Sequence, residues 1–280
     1  MENEILSIKN LSFYYNNISS DLNNKSWIKI FKDISIDINK GNVIGIAGKS
    51  GCGKTTLAKS IVNYHKLSGL YINNKDYKIN GSITYNGNID ILSNKYKSIN
   101  PPPIQMVFQD PRTSLNMKMS LYSQLKESFK LNFKNRNLSN NEIDNEINNI
   151  AIKFKIQDNL YSTPEQLSGG QRRRFGLAKI VSCNPKVIIA DEPVSSLDVS
   201  IKRDIMNVLF DLKKQGITIV IISHDISLLK NNSDYIYIME NGSIVEKWNT
   251  TSKPLASETK KLNNDSSFVN EFIKGLKNSK

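Results

Sequence analysis

Gly48-Lys49-Ser50-Gly51-Cys52-Gly53-Lys54-Thr55 is the stretch that decides the fold. It fits the phosphate-loop pattern G-x-x-x-x-G-K-[ST]. Upstream, Val43–Ala47 is a short β-branched run that reads as a strand. Downstream, Lys54–Tyr64 puts Leu57, Ala58, Ile61 and Val62 on one helical face. A strand entering a glycine-rich turn that opens a helix is the setting this chemistry needs. The glycines let successive backbone N–H groups face phosphate oxygens, and the helix start adds partial positive charge. Lys54 is placed for the β- and γ-phosphates and Thr55 for Mg²⁺. Gly48, Lys49, Ser50, Gly51, Cys52, Gly53 and Thr56 complete the nucleotide-binding set.

A second element supplies acid. Lys186–Pro193, reading KVIIADEP, is an apolar strand delivering Asp191 and Glu192 at its C-terminal end, where open α/β sheets bind ligands. Asp191 is placed to hold the metal and Glu192 to polarise an attacking water. Around these elements the character of the chain changes twice. Ile5–Ile8 and Ile34–Ile38 read as strands, and Ser68–Asn80 as a polar surface loop. Gly81–Gly87 reads as a strand ending in an Asn-Gly turn, and Ile104–Phe108 as a further strand. From Pro111 to Gln166, Leu121, Leu125, Phe129, Ile143, Ile147, Ile150 and Phe154 predict successive amphipathic helices. Strands return at Val187–Ala190 and Ile217–Ile222, with a helix over Ile201–Lys214 closed by Gly216. That order predicts an α/β nucleotide-binding core, with an antiparallel β part and an inserted α-helical lobe at about 111–170.

At 280 residues the chain can bury a real core. Its opening, MENEILSIKN, carries two acidic residues and lacks the apolar core of a secretory signal. No apolar run approaches the roughly 20 residues of a membrane span, so a cytoplasmic protein is expected, with any membrane role coming through a partner. The net charge of +12 admits a solvated surface, an anionic membrane face or nucleic acid. The basic residues are scattered and not interleaved with aromatics, which ranks nucleic acid last. Cys52 and Cys183 have no metal-ligand spacing and read as reduced thiols.

Leu167-Ser168-Gly169-Gly170-Gln171 takes the reading beyond a generic phosphate-loop enzyme. Ser168-Gly169-Gly170 entering a helix is a second anion-binding start, where one nucleotide needs one. With this pentapeptide 20 residues before Asp191, the chain resembles the ATP-binding subunits of ABC transporters, over roughly Ile5 to Glu246. The resemblance implies a head-to-tail dimer in which each ATP lies between one subunit's phosphate loop and the other's Ser168–Gln171. It implies that Tyr15 stacks on adenine, with Tyr14 the near alternative and a core position open to either. Gln109 would reach Mg²⁺ and the attacking water, His224 the γ-phosphate, and Ser196-Leu197-Asp198 would cross the dimer seam. QMVFQDPRTSLN at 105–116 and IADEPVSSLDVS at 189–200 resemble the ATPases of peptide and nickel importers.

The resemblance thus implies an ATPase domain over 1–250, working at the cytoplasmic membrane face on two permease subunits. Its partners would be a second ATPase chain, usually a different one, and indirectly an extracytoplasmic binding protein. Arg172-Arg173-Arg174-Phe175-Gly176 departs from the commoner Q-R-V-A-I run, and no function is carried onto it. In the tail, 251–280, Phe268, Val269, Phe272, Ile273 and Leu276 form an apolar stripe at helical spacing. It suits packing on the parent domain or docking to a partner or membrane. An ABC ATPase acting on nucleic acid or ribosomes is the alternative, but no coiled-coil insertion or second ATPase domain is present. A phosphate-loop kinase or GTPase leaves LSGGQ, Gln109 and His224 unexplained.

Overall fold

The computed structural model describes residues 3–17, 26–67, 76–132, 139–195 and 197–250. Ser196 and the tail stripe fall outside these. In chain order the elements are β1 (Glu4–Asn17), β2 (Ser26–Asn39), β3 (Val43–Ala47), α1 (Lys54–Ile61), α2 (Tyr64–Leu67), β4 (Tyr77–Tyr85), β5 (Ile89–Asp90), α3 (Asn94–Lys97) and β6 (Ile104–Val107). They continue as α4 (Leu121–Asn132), α5 (Asn140–Lys153), α6 (Gly169–Val181), β7 (Val187–Asp191), α7 (Val199–Lys214), β8 (Thr218–Ser223), α8 (Ile226–Asn232), β9 (Tyr235–Glu240) and β10 (Ser243–Asn249). Among the described residues these form two compact units, one within 1–96 and 220–280 and one within 97–219. The second contains the stretch 111–170 together with β6 and β7. The α/β class with an antiparallel sheet and a helical part is borne out.

The first unit holds an antiparallel sheet in the order β2-β1-β4-β5. Phe13 pairs with Phe31 on one side and Ile79 on the other, and both phenylalanines are fully buried. Ladder shifts occur between Ile8 and Leu11 and between Leu11 and Phe13. Asn10 and Asp33 there take left-handed backbone, at φ 49° and 55°, which Asn and Asp adopt more readily than most residues. The bulges break the period-two pattern, which is why β1 and β2 run well past Ile5–Ile8 and Ile34–Ile38. Tyr77–Asn80 corrects the loop expected at Ser68–Asn80: this stretch opens β4, with Tyr77 opposite Tyr15. Tyr77 and Ile79 alternate with Lys78 and Asn80 as a half-buried strand demands.

In the same unit β3 is buried throughout and runs parallel to β9. β9 and β10 form an antiparallel hairpin closed by Asn241-Gly242, at φ 48° and 77°, the turn an Asn-Gly pair favours. The helix after the phosphate loop ends at Ile61, short of Tyr64, and α2 follows Asn63 at φ 54°.

In the second unit β6 and β7 are parallel, with Val107 opposite Ala190. α4, α5 and α6 bury Leu121, Leu125, Phe129, Ile143, Ile147 and Phe175. α5 begins at a capping box in which Ser139 and Glu142 exchange hydrogen bonds. α7 ends at Gly216, φ 85°, whose N–H donates to Lys213 O at 2.8 Å.

Candidate nucleotide site

The first unit carries the phosphate loop. β3 delivers Gly48 to a place where an added Cβ would strike the Met239 carbonyl on β9 and come 2.7 Å from Cys52 Sγ. Gly51 and Gly53 take φ of 81° and 104°, a region that side chains disfavour. Gly53 is the N-cap of α1. No side chain caps that start, and its first turn holds no acid, so its N–H groups and dipole are left to attract an anion. Lys54 is 7% exposed, and its ammonium donates to Gly48 O at 2.7 Å and Lys49 O at 2.8 Å. A cation is thus held across the mouth of the loop. Lys49, Ser50, Gly51 and Thr55 are exposed, and Cys52, Gly53 and Thr56 half-buried. His224 is exposed after β8, and Asp225 beside it caps α8 through Leu228 N–H at 3.0 Å.

Tyr15 is half-buried, edge-on to Phe13 at 4.8 Å between ring centroids and 6.1 Å from His65. It therefore shares an aromatic cluster with Tyr77, whose ring stacks on Phe13 at 5.6 Å. His65, given no role from sequence, is 3% exposed within this cluster. Burial, helped by the charge of Lys59, lowers its pKa to about 4.

The second unit gathers three predicted residues at one sheet edge. Because Val107 and Ala190 are opposite in a parallel pair, Gln109, Asp191 and Glu192 all leave the C-terminal ends of β6 and β7. Asp191 is 1% exposed. Glu192 takes φ 46°, a costly conformation for a residue with a side chain; its carbonyl accepts from Ser195 Oγ at 3.0 Å. Gln109 is exposed. Asp110 caps a 3₁₀ turn at Pro111–Thr113, and its hydrogen bonds with the Arg112 side chain and N–H hold its carboxyl below the usual range.

The start of α6 carries the second predicted anion-binding turn. Ser168 is not left without a partner in the single chain, because its Oγ accepts from Gln171 N–H at 3.2 Å while Gln171 Oε1 accepts from Ser168 N–H at 2.9 Å. A hydroxyl that accepts still has its proton to donate, so the cap leaves Ser168 able to bind a phosphate oxygen. Gly169 lies in open space, whereas a Cβ on Gly170 would come 2.9 Å from Ile201 Cδ1. Asp198 is the N-cap of α7, accepting from Ile201 N–H at 2.9 Å.

Sequence reasoning missed Arg173, which is 5% exposed. Its Nη1 donates to Phe108 O at 2.6 Å. Three successive arginines hide which of them turns inward, and only the helix phase separates them.

The ABC transporter family profile matches residues 31–195, more than half of the chain. The chain belongs to that family. Among ABC relatives it is 32% identical over 251 residues to the oligopeptide transport ATP-binding protein OppF of Bacillus subtilis, covering 88% of this chain and 76% of that one. It is 35% identical over 236 residues to OppF of Haemophilus influenzae, covering 81% and 67%. The structure superposes on cbiO1 of Clostridium perfringens, part of an ABC transporter complex, with a TM-score of 0.69 and 28% identity over 98% of this chain and 100% of that. A dimeric ATP-binding cassette bound to ADP and Pi gives a TM-score of 0.72 at 23% identity, over 89% and 100%, which bears on the fold alone. This ABC chain is an ATP hydrolase.

Proposed function

We propose that this chain is one ATPase subunit of an importer of small peptides, bound at the cytoplasmic membrane face and paired head to tail with a second ATPase chain. What supports the pairing is the presence of two anion-binding helix starts, at Lys54 and at Gly169, on a chain where one nucleotide needs one. What supports the cargo class is that relatives over most of the chain are named for oligopeptide or dipeptide transport. No helix among the described residues can cross a membrane, so two permeases would supply the path and a binding protein the cargo. The ATPase domain would span 1–250, with the helical stretch 111–170 as its insert.

In this reading Lys54 and the loop amides bind the β- and γ-phosphates and Tyr15 packs against adenine. Glu192 polarises the attacking water and His224 meets the γ-phosphate. Ser168–Gln171 serve the ATP held by the other subunit. The donors for Mg²⁺ are Thr55, Gln109 and Asp191, all oxygen ligands as that ion prefers. Bound there, Mg²⁺ would neutralise phosphate charge.

The test is reconstitution with both permeases and the second ATPase. ATP-dependent uptake of a labelled oligopeptide is expected, and Glu192→Gln should bind ATP while turnover falls by two or more orders of magnitude, on the order of a lost general base. Uptake that persists without ATP, or near-normal turnover in that variant, would overturn the reading.

A further inference from the structure

Of the three arginines in α6, two are half-buried. Arg172 Nη1 donates to Pro164 O at 3.3 Å, and Arg174 Nη1 lies 3.5 Å from Asp204. Arg173 is buried and reaches the carbonyl of Phe108, the residue before Gln109. Burial works against its charge, while Asp110 and Asp191 favour it. Further along the same helix, Lys179 Nζ donates to Ser114 O at 3.0 Å and to Gln124 Oε1 at 3.3 Å. Two cations from one helix therefore grip the segment 108–114 at both ends, and Gln109 lies inside the grip.

A buried guanidinium is a poor device for stability, because an apolar side chain of like volume often does as well or better. Its placement makes sense where charge is needed, here at the strand edge that carries Asp191, Glu192 and Gln109. The exposed Gln109 side chain is steered by its backbone, and that backbone is fixed one residue upstream. We infer that Arg173 is a positioning residue: it sets the approach of Gln109 through the Phe108 carbonyl, at the strand ends that also carry Asp191. Because α6 begins at Ser168–Gln171, the same bond ties the signature turn to the Gln109 segment.

The inference rests on the roles of Gln109 and Asp191 proposed above. The test uses Arg173→Met and Arg173→Lys in the assembled transporter, titrating hydrolysis with ATP and with Mg²⁺. Amide hydrogen exchange over 106–116 is followed in the full chain free of nucleotide and metal, together with its melting temperature. For Arg173→Met, kcat should fall ten- to a hundredfold, on the order expected of a misplaced catalytic group, while KM for ATP stays within about twofold because the phosphate loop is untouched. Half-maximal Mg²⁺ should rise and exchange over 108–114 should quicken. Arg173→Lys, which keeps the charge and one donor, should fall between the Met variant and the parent in each readout.

A folded Arg173→Met with parental kcat, Mg²⁺ dependence and exchange would overturn the inference. So would a Lys variant as impaired as the Met variant, with losses following melting temperature alone. Should the Met variant fail to fold, parental kcat and Mg²⁺ dependence in Arg173→Lys would overturn it. Asp191→Asn and Gln109→Ala are measured alongside: if both leave turnover intact, the site reading has failed, whereas if they abolish turnover and Arg173 variants are silent, only the inference has.

Discussion

Lys54 neutralises no acid in its own loop; its ammonium spans two carbonyls, ready to exchange them for phosphate oxygens. Lys54→Met should weaken ATP binding by about ten- to a hundredfold, the worth of charge-assisted hydrogen bonds; an unaltered affinity for a fluorescent ATP analogue would contradict this. His65 makes a pH-dependent contribution. In the unfolded chain its ring titrates near its ordinary 6.5, while the folded ring stays neutral down to about 4. Above pH 6.5 both states are neutral and the stability is fully present. As pH falls from 6.5 to about 4 the unfolded state alone takes up the proton, so stability is lost. At pH 5 the loss relative to pH 7 is on the order of 2 kcal/mol. His65→Phe should lack this part of the decline, seen as a smaller shift in urea midpoint between the two pH values. Lys54 was legible because its chemistry requires a fixed spacing. His65 was not, because only the pairing of β1 with β4 surrounds it with Phe13 and Tyr77.

At the scale of elements, two helices begin with the same device for different ends. Ser139 and Ser168 each cap a helix with the hydroxyl and donate the reciprocal bond from the backbone N–H, to Glu142 Oε2 and to Gln171 Oε1. Replacing either with Ala should cost about 1 kcal/mol of stability. Ser139→Ala should leave ATP turnover unchanged and Ser168→Ala should lower it, so melting curves and ATPase rates measured together separate cap from ligand. The β9–β10 hairpin was readable and unread: Tyr-Ile-Tyr-Ile-Met-Glu, then Asn241-Gly242, is a plain strand and turn signal. The strand at Tyr77–Asn80 was masked by its Asn and Lys residues, which fill the outward positions. The lengths of β1 and β2 were beyond a period-two reading, since their bulges shift the phase.

For the whole molecule, the motifs fixed the class because phosphate loop, acidic strand end and signature turn each need a set backbone around them. The grouping of residues 97–219 as one compact unit was less legible, since β6 and β7 look like members of a core and the helices like an insert. Pairing adds a prediction at this scale. Glu192→Gln mixed with the second ATPase chain should form a species of roughly doubled mass in ATP and Mg²⁺ but not in ADP, because only a γ-phosphate engages both helix starts. Light scattering would show it, and equal masses in the two nucleotides would argue against the shared site.

The Met239 carbonyl lies against Gly48 so closely that no side chain fits between them. Nearby, Lys32 N–H donates to Gly242 O at 2.8 Å. The floor of the phosphate loop is therefore built by residues almost two hundred positions downstream. A chain terminated at Ser233 would retain every residue given a chemical task, and an inventory of its motifs would find it complete. It should nonetheless bind ATP poorly, because a premature stop codon there removes the surface on which the loop is moulded.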